Sequence, residues 1–308
     1  MRPLLLALAV LHACDDGGGP SPDDDVLDTW SVGMDTQGLA LLVDGRDAVT
    51  GSGDGVIAFS TATGTITGRL DGFPSARAQD AWGVVAAFGS EGAWLWAPPS
   101  GDPAALPVDD GLSAPVARLW SGGAAWIGRT TQECTVYRTG VAAVVLDGCE
   151  PLGDVAVDRG AGTLYVGQVG DPGAPHVVAV EPGGIGVDIA TGADRLAWDP
   201  TADLLYAGTE GGDTIQAWEP DGSLAWEVAL DSPLVALAAL GTAGGLAVVV
   251  ESTGEPVIAL LDPAGDQVRD IGGPLGLLDL AASPDGGTLA AVTRDDRVVF
   301  FRGDWDAL

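Results

Sequence analysis

Two histidines, three cysteines and a large excess of carboxylates are the side chains from which any chemistry in this 308-residue chain must be built. His12 sits in the N-terminal apolar run and His176 opens a segment of alternating apolar residues. A hydrolytic triad needs a nucleophile, a base and a group that orients the base. No Gly-x-Ser-x-Gly elbow surrounds His176 to supply that set. His176 therefore reads as a structural residue. All 13 basic residues are arginines, so no glycine-rich phosphate loop can end in the lysine it requires. Against them stand 44 Asp and Glu, for a formal net charge of −31. Such a chain repels a nucleic-acid backbone and has no basic patch from which to release counterions. It is equally ill suited to dock by charge on anionic lipid heads.

The carboxylates offer one candidate. Glu91, Glu210, Asp213, Glu251 and Asp295 each follow a short apolar run at a comparable place. If those runs are strands of one repeating unit, the five lie in equivalent loops at one end of the fold. Oxygen ligands converging there could hold Ca²⁺. The competing reading is solvated loops in a very acidic protein, which the high density of acids favours. No other cofactor is expected.

Those loops must be placed by a scaffold, and the sequence has three parts. Residues 1–13 read MRPLLLALAVLHA, with one Arg, an apolar run too short to cross a bilayer, and then Cys14. Leu11, Ala13 and Cys14 resemble the lipobox of bacterial lipoproteins, in which the cysteine is lipidated and becomes the mature N-terminus. His12 departs from that pattern. The resemblance implies a signal peptide over 1–13 and a lipid anchor on Cys14. It also implies a place in the bacterial cell envelope, periplasmic or surface-exposed. Residues 14–25 are Cys followed by Asp, Gly, Pro and Ser, which cannot build a core and read as a flexible acidic tether. With Cys14 lipidated, Cys134 and Cys149 remain as a pair. TVYRTGVAAVVLDG between them reads as a hairpin turning at Thr139-Gly140, and in an oxidising compartment the two should form a disulfide. Closing such a loop contributes about 3 kcal/mol in the chain-entropy model.

Residues 26–308 form the folded body. Short runs rich in Val, Ala, Leu and Trp are cut every few residues by Gly, Pro or Asp. That is an all-β pattern. DVAVDRGAGTLYVGQ, RLAWDPTADLLYAGT and DLAASPDGGTLAAVT align with one another, and looser copies precede and intervene. Their spacing of roughly 40 residues is that of four-stranded propeller blades. A second hairpin follows each copy, as in HVVAVEPGGIGVDI, TIQAWEPDGSLAWEVAL and VIALLDPAGDQVRDI. Here Pro fixes φ and Gly takes φ > 0. The spacing predicts a seven-bladed β-propeller of four-stranded blades, with six or eight blades as the alternatives because the second unit is irregular around APPSGDPAALP. Only three strands are evident in the last unit, so the segment VLDTWSV near the N-terminus is expected to supply the fourth and close the ring.

These repeats resemble the bacterial propellers of the YVTN, PQQ-type and WD40-like groups, without the Gly-His and Trp-Asp dipeptides of WD40 repeats. Lactonase propellers commonly use Asn among their metal ligands, and this chain contains none. The expected function is an envelope-anchored, non-catalytic platform that binds an envelope protein or a small molecule. The alternative is a metal-dependent, lactonase-like hydrolase at the acidic mouth.

Overall fold

A computed structural model describes residues 26–31, 37–41, 47–52, 55–71, 77–81, 85–89, 92–96, 102, 104–105, 113–120, 123–129, 133–138, 140–147, 154–169, 176–189, 191–251, 257–272, 276–283, 286–294 and 297–302. The expected signal and tether, residues 1–25, lie outside this set. Strand β1 is Val26–Ser31. The first blade then comprises β2 (Gln37–Leu41), β3 (Asp47–Ser52), β4 (Gly55–Ser60) and β5 (Ile66–Asp71). The second has β6 (Arg77–Ala81), β7 (Val85–Gly89), β8 (Gly92–Trp96) and β9 (Ala104–Ala105). The third has β10 (Ser113–Trp120), β11 (Gly123–Arg129), β12 (Glu133–Arg138) and β13 (Val141–Asp147). The fourth has β14 (Val155–Asp158), β15 (Thr163–Val169), β16 (His176–Glu181) and β17 (Gly184–Ile189). The fifth has β18 (Arg195–Asp199), β19 (Leu204–Gly208), β20 (Thr214–Trp218) and β21 (Leu224–Ala229). The sixth has β22 (Leu234–Ala239), β23 (Leu246–Val250), β24 (Val257–Leu261) and β25 (Gln267–Gly272). Last come β26 (Leu277–Ala282), β27 (Thr288–Thr293) and β28 (Arg297–Arg302).

These strands make seven four-stranded antiparallel sheets, six of them in simple chain order. In the seventh the order is β1-β28-β27-β26, so the N-terminal strand completes the blade built by the C-terminal residues. Trp30 lies opposite Val298 and Ser31 opposite Arg297 in that pairing. The first strands of successive blades touch in sequence from β2 to β26, and β26 touches β2 again. The result is a closed ring of seven blades, which leaves no open inner edge to pair with another chain.

Burial explains why the sequence patterns differ from strand to strand. The second strand of a blade is covered on both faces: β19 and β27 are buried throughout. Both read as continuous apolar runs, as strands covered on both sides must. The outermost strand alternates, and β21 runs between exposed and half-buried positions. The core consists of clusters between neighbouring blades. At the closing seam, Ala48, Ile57 and Phe59 of the first blade pack on Ala290, Val298 and Phe300 of the seventh. Phe59 and Phe300 meet edge-on at 6.1 Å. The second blade is the irregular one. Its outer strand is two residues long, in a proline-rich stretch whose missing N–H groups cannot extend a ladder. Among the described residues the only helical element is a 3₁₀ turn at Gly241–Ala243, and no helix is long and apolar enough to cross a membrane.

Candidate functional site

Antiparallel order puts two kinds of loop at opposite ends of every blade. The loops joining second to third strands share one end with the blade-to-blade links. The tight turns joining first to second and third to fourth strands share the other.

The acidic candidates belong to the first end. Glu210 and Asp213 lie in the loop between β19 and β20, and Glu251 directly follows β23; all three are exposed. Glu91 and Asp295 lie outside the described residues. Glu210 is tied into the framework rather than pointed at a common centre. Its carboxylate receives the Arg195 guanidinium, and its backbone N–H donates to Asp194 Oδ1 at 2.7 Å. Arg195 also donates from Nε to the carbonyl of Val235 in the next blade, at 3.3 Å. Asp213 accepts the Thr214 hydroxyl at 3.2 Å through its carboxylate and the Leu230 N–H at 2.6 Å through its carbonyl. The N–H of Glu251 donates to Pro233 O at 2.9 Å. The described residues bring no three His, Cys, Asp or Glu side chains together in a metal-binding group.

Cys134 is fully buried on β12 and is disulfide-bonded. Its cross-strand partner in the hairpin is Leu146. Cys149 and Cys14 are outside the described residues. His176 opens β16 half-buried, 3.8 Å from Asp188 of the neighbouring strand. No nucleophilic side chain is placed beside it by any described contact.

The tight-turn end is more differentiated, and the repeat alignment allows its junctions to be compared. Between the fifth and sixth blades, Asp199 ends β18 with its carboxylate fully buried. It accepts the N–H groups of Thr201 and Ala202 at 2.8 and 3.0 Å. It also accepts the Tyr206 hydroxyl at 3.0 Å and the Gly245 N–H of the next blade at 2.6 Å. Four charge-assisted bonds offset the cost of burying that carboxylate. Burial, then the Asp199 charge and its hydrogen bond, push the Tyr206 phenol far above the ordinary tyrosine range. Over this network lies Trp226 of β21. Its ring is 5.6 Å from Tyr206, its indole N–H donates to Pro263 O at 2.8 Å, and Gly265 packs against its face. A Cβ at Gly265 would come within 2.9 Å of that ring, and its φ of +89° suits glycine alone.

Between the fourth and fifth blades the corresponding parts are Asp158, Tyr165 and Pro220, and Val187 takes the place of Trp226. The register supports this match. Gly222, the counterpart of Gly265, packs against Val187 as Gly265 packs against Trp226. Here a cleft of about 300 Å³ opens, lined by Asp158, Tyr165, Ala179 and Glu181 of the fourth blade and Pro220 of the fifth. Asp158 Oδ1 is used only by its own turn, accepting Gly160 and Ala161 N–H at 2.8 and 3.2 Å. Tyr165 makes no bond to it like that of Tyr206. Instead Tyr165 stacks face to face on Trp198, with centroids 5.2 Å apart and planes 16° apart. Burial, then the negative charges of Asp158, Asp203 and Glu181, push its phenol far above the ordinary range. Asp203 rims the same region with φ of +58°, the only positive φ outside glycine among the described residues. Trp198 is only 9% exposed. Its indole N–H, like the buried one of Trp218 in the same cluster, has no acceptor among the described residues.

One junction earlier the space is filled by a charge. Arg138 of the third blade is buried and donates to Val180 O at 3.0 Å and to Gly162 O, both in the fourth blade. Burial holds its pKa below the usual value.

The sequence hides this match, because EPGGIGV is one residue shorter than EPDGSLAW and an ungapped alignment sets Val187 against Ala225. Only the strand pairing, Val178 with Asp188 and Gln216 with Glu227, puts Val187 in the place of Trp226.

The fold has solved counterparts. A chain in the crystal structure of a mitotic checkpoint complex superposes with a TM-score of 0.72, covering 98% of this chain and 99% of that one at 14% identity. In all, 1153 solved chains match, so the likeness speaks for the fold and not for a particular activity. No protein-family profile matches the sequence, and no curated protein matches it.

Proposed function

We propose that this chain is a non-catalytic binding platform, a propeller held at a bacterial envelope membrane by lipid on Cys14. The observation that carries the binding-platform half is the use made of Glu210. The acid best placed for chemistry at the predicted mouth is spent on Arg195, which itself ties the fifth blade to the sixth. A closed ring with such inter-blade ties is a rigid body suited to presenting surfaces. The similar solved chain belongs to a multiprotein complex, a use of the fold that fits this reading.

The anchoring half rests on the sequence around Cys14 and on the tether that follows. Cys134 pairs with Cys149 in this reading. The ladder sets Leu146 opposite Cys134, and Cys149 follows Leu146 by three residues in the sequence. Metabolic labelling with an alkynyl fatty acid tests the anchor: the wild-type chain should carry label and Cys14→Ser should not. Label on both, or on neither, overturns it. Affinity capture from envelope extract tests the platform, together with a lactone-hydrolysis screen on wild type and Glu210→Gln. Turnover that disappears in Glu210→Gln would replace the platform by the metal-dependent hydrolase.

A further inference from the structure

The cleft between the fourth and fifth blades occupies the place that an indole fills at the next junction. At the fifth–sixth junction the ring of Trp226 lies beside Tyr206 and sends its N–H to the carbonyl of Pro263. At the fourth–fifth junction Tyr165 and Pro220 stand in the equivalent positions, the smaller Val187 packs on the cluster that holds Tyr165 without lining the cavity, and about 300 Å³ is left open. That volume is at the lower end of small-molecule sites. Two features distinguish the open slot from the filled one. Asp158 and Glu181 both line it, and Asp158 accepts only from its own turn, where Asp199 accepts also from Tyr206 and Gly245. Behind Tyr165 the Trp198 indole is stacked, buried and without an acceptor.

We infer that this cleft is a binding site for a planar aromatic ring bearing an N–H donor next to a cationic amine, the chemistry of an arylalkylamine. The ring takes the place of the missing Trp226 counterpart against Tyr165. Its N–H meets the Pro220 carbonyl, as Trp226 meets that of Pro263. The ammonium meets the half-buried Asp158 and the exposed Glu181, two carboxylates whose attractions add. A free amine and a tryptophan beside a basic residue in a partner polypeptide share this chemistry. The site goes beyond the platform reading and does not depend on lipidation.

Titration calorimetry on the purified body tests it with tryptamine, indole, indole-3-acetate and an end-blocked Lys-Trp-Lys peptide. Tryptamine should bind saturably, about tenfold tighter than indole, with indole-3-acetate weakest, a difference of one ion pair. Glu181→Gln should bring tryptamine down towards indole. Val187→Trp, which gives this junction its neighbour's filler, should abolish binding and raise the melting temperature. If Val187→Trp fails to fold, the Glu181→Gln titration and perturbation of the Trp198 indole N–H resonance by tryptamine decide the matter. Tighter binding of the peptide than of tryptamine identifies a polypeptide as the source, and the reverse a free amine. No saturable tryptamine binding, equal affinity across the charge series, or binding that survives in folded Val187→Trp overturns the site.

Discussion

The junction between the fifth and sixth blades and the one between the fourth and fifth are built from the same repeat, yet they solve the same packing problem differently. In the first, a buried aspartate collects a tyrosine hydroxyl and a glycine N–H from the next blade, and an outer-strand tryptophan seals the space above. In the second, the aspartate serves only its own turn. The large aromatic comes from the inner strand of the following blade, as Trp198, and the outer position is left to Val187. One junction spends its polar groups on holding blades together. The other keeps an open, acidic, aromatic-walled cleft. A repeat fold tolerates this because each blade contacts only its neighbours, so one junction can lose packing while the rest of the ring keeps its stability.

The comparison can be broken by exchanging parts. Asp199→Ala should have the largest effect, about 3–4 kcal/mol, because it strands the Tyr206 hydroxyl and Gly245 N–H in a buried site. Asp158→Ala should cost only about 1 kcal/mol, for a turn whose N–H groups can reach water. Urea unfolding measures both, and equal costs would end the distinction. Trp226→Ala should cost about 3 kcal/mol by opening a cavity at the sealed junction. Its readout is the unfolding midpoint together with newly acquired indole binding. Tyr206→Phe should cost about 1.5 kcal/mol for its bond to a carboxylate, and Tyr165→Phe close to nothing. Smallest is Glu210→Gln, at about 0.5 kcal/mol or less, because its pair with Arg195 is largely exposed.

Alkaline titration probes both junctions at once. Tyr165 and Tyr206 have folded-state pKa values raised above the unfolded value, so their contribution to stability is complete below about pH 10. It is lost as the pH climbs from there toward their folded values. Absorbance at the phenolate band should therefore show these two ionising only as the fold opens. Ionisation of both near pH 10 with circular dichroism unchanged would contradict their burial.

Much of this architecture is written in the chain. Two-residue alternation, Pro-Gly turns and a forty-residue repeat require short antiparallel strands, because residues of those types at that spacing satisfy no other backbone geometry. A three-stranded last unit beside a spare N-terminal strand already implied the closure made by β1 and β28. The repeat alignment even paired Tyr165 with Tyr206 and Asp158 with Asp199. What it could not assign was the partner of each polar group. Glu210 goes to Arg195, Arg138 crosses to Gly162, and Asp199 reaches Gly245 in the next blade. Those choices depend on how two neighbouring blades are spaced and inclined, and on whether a tryptophan or a valine stands between them. Local propensity sets the blades; the volume left where they meet is a property of two repeats together, and only the assembled ring fixes it.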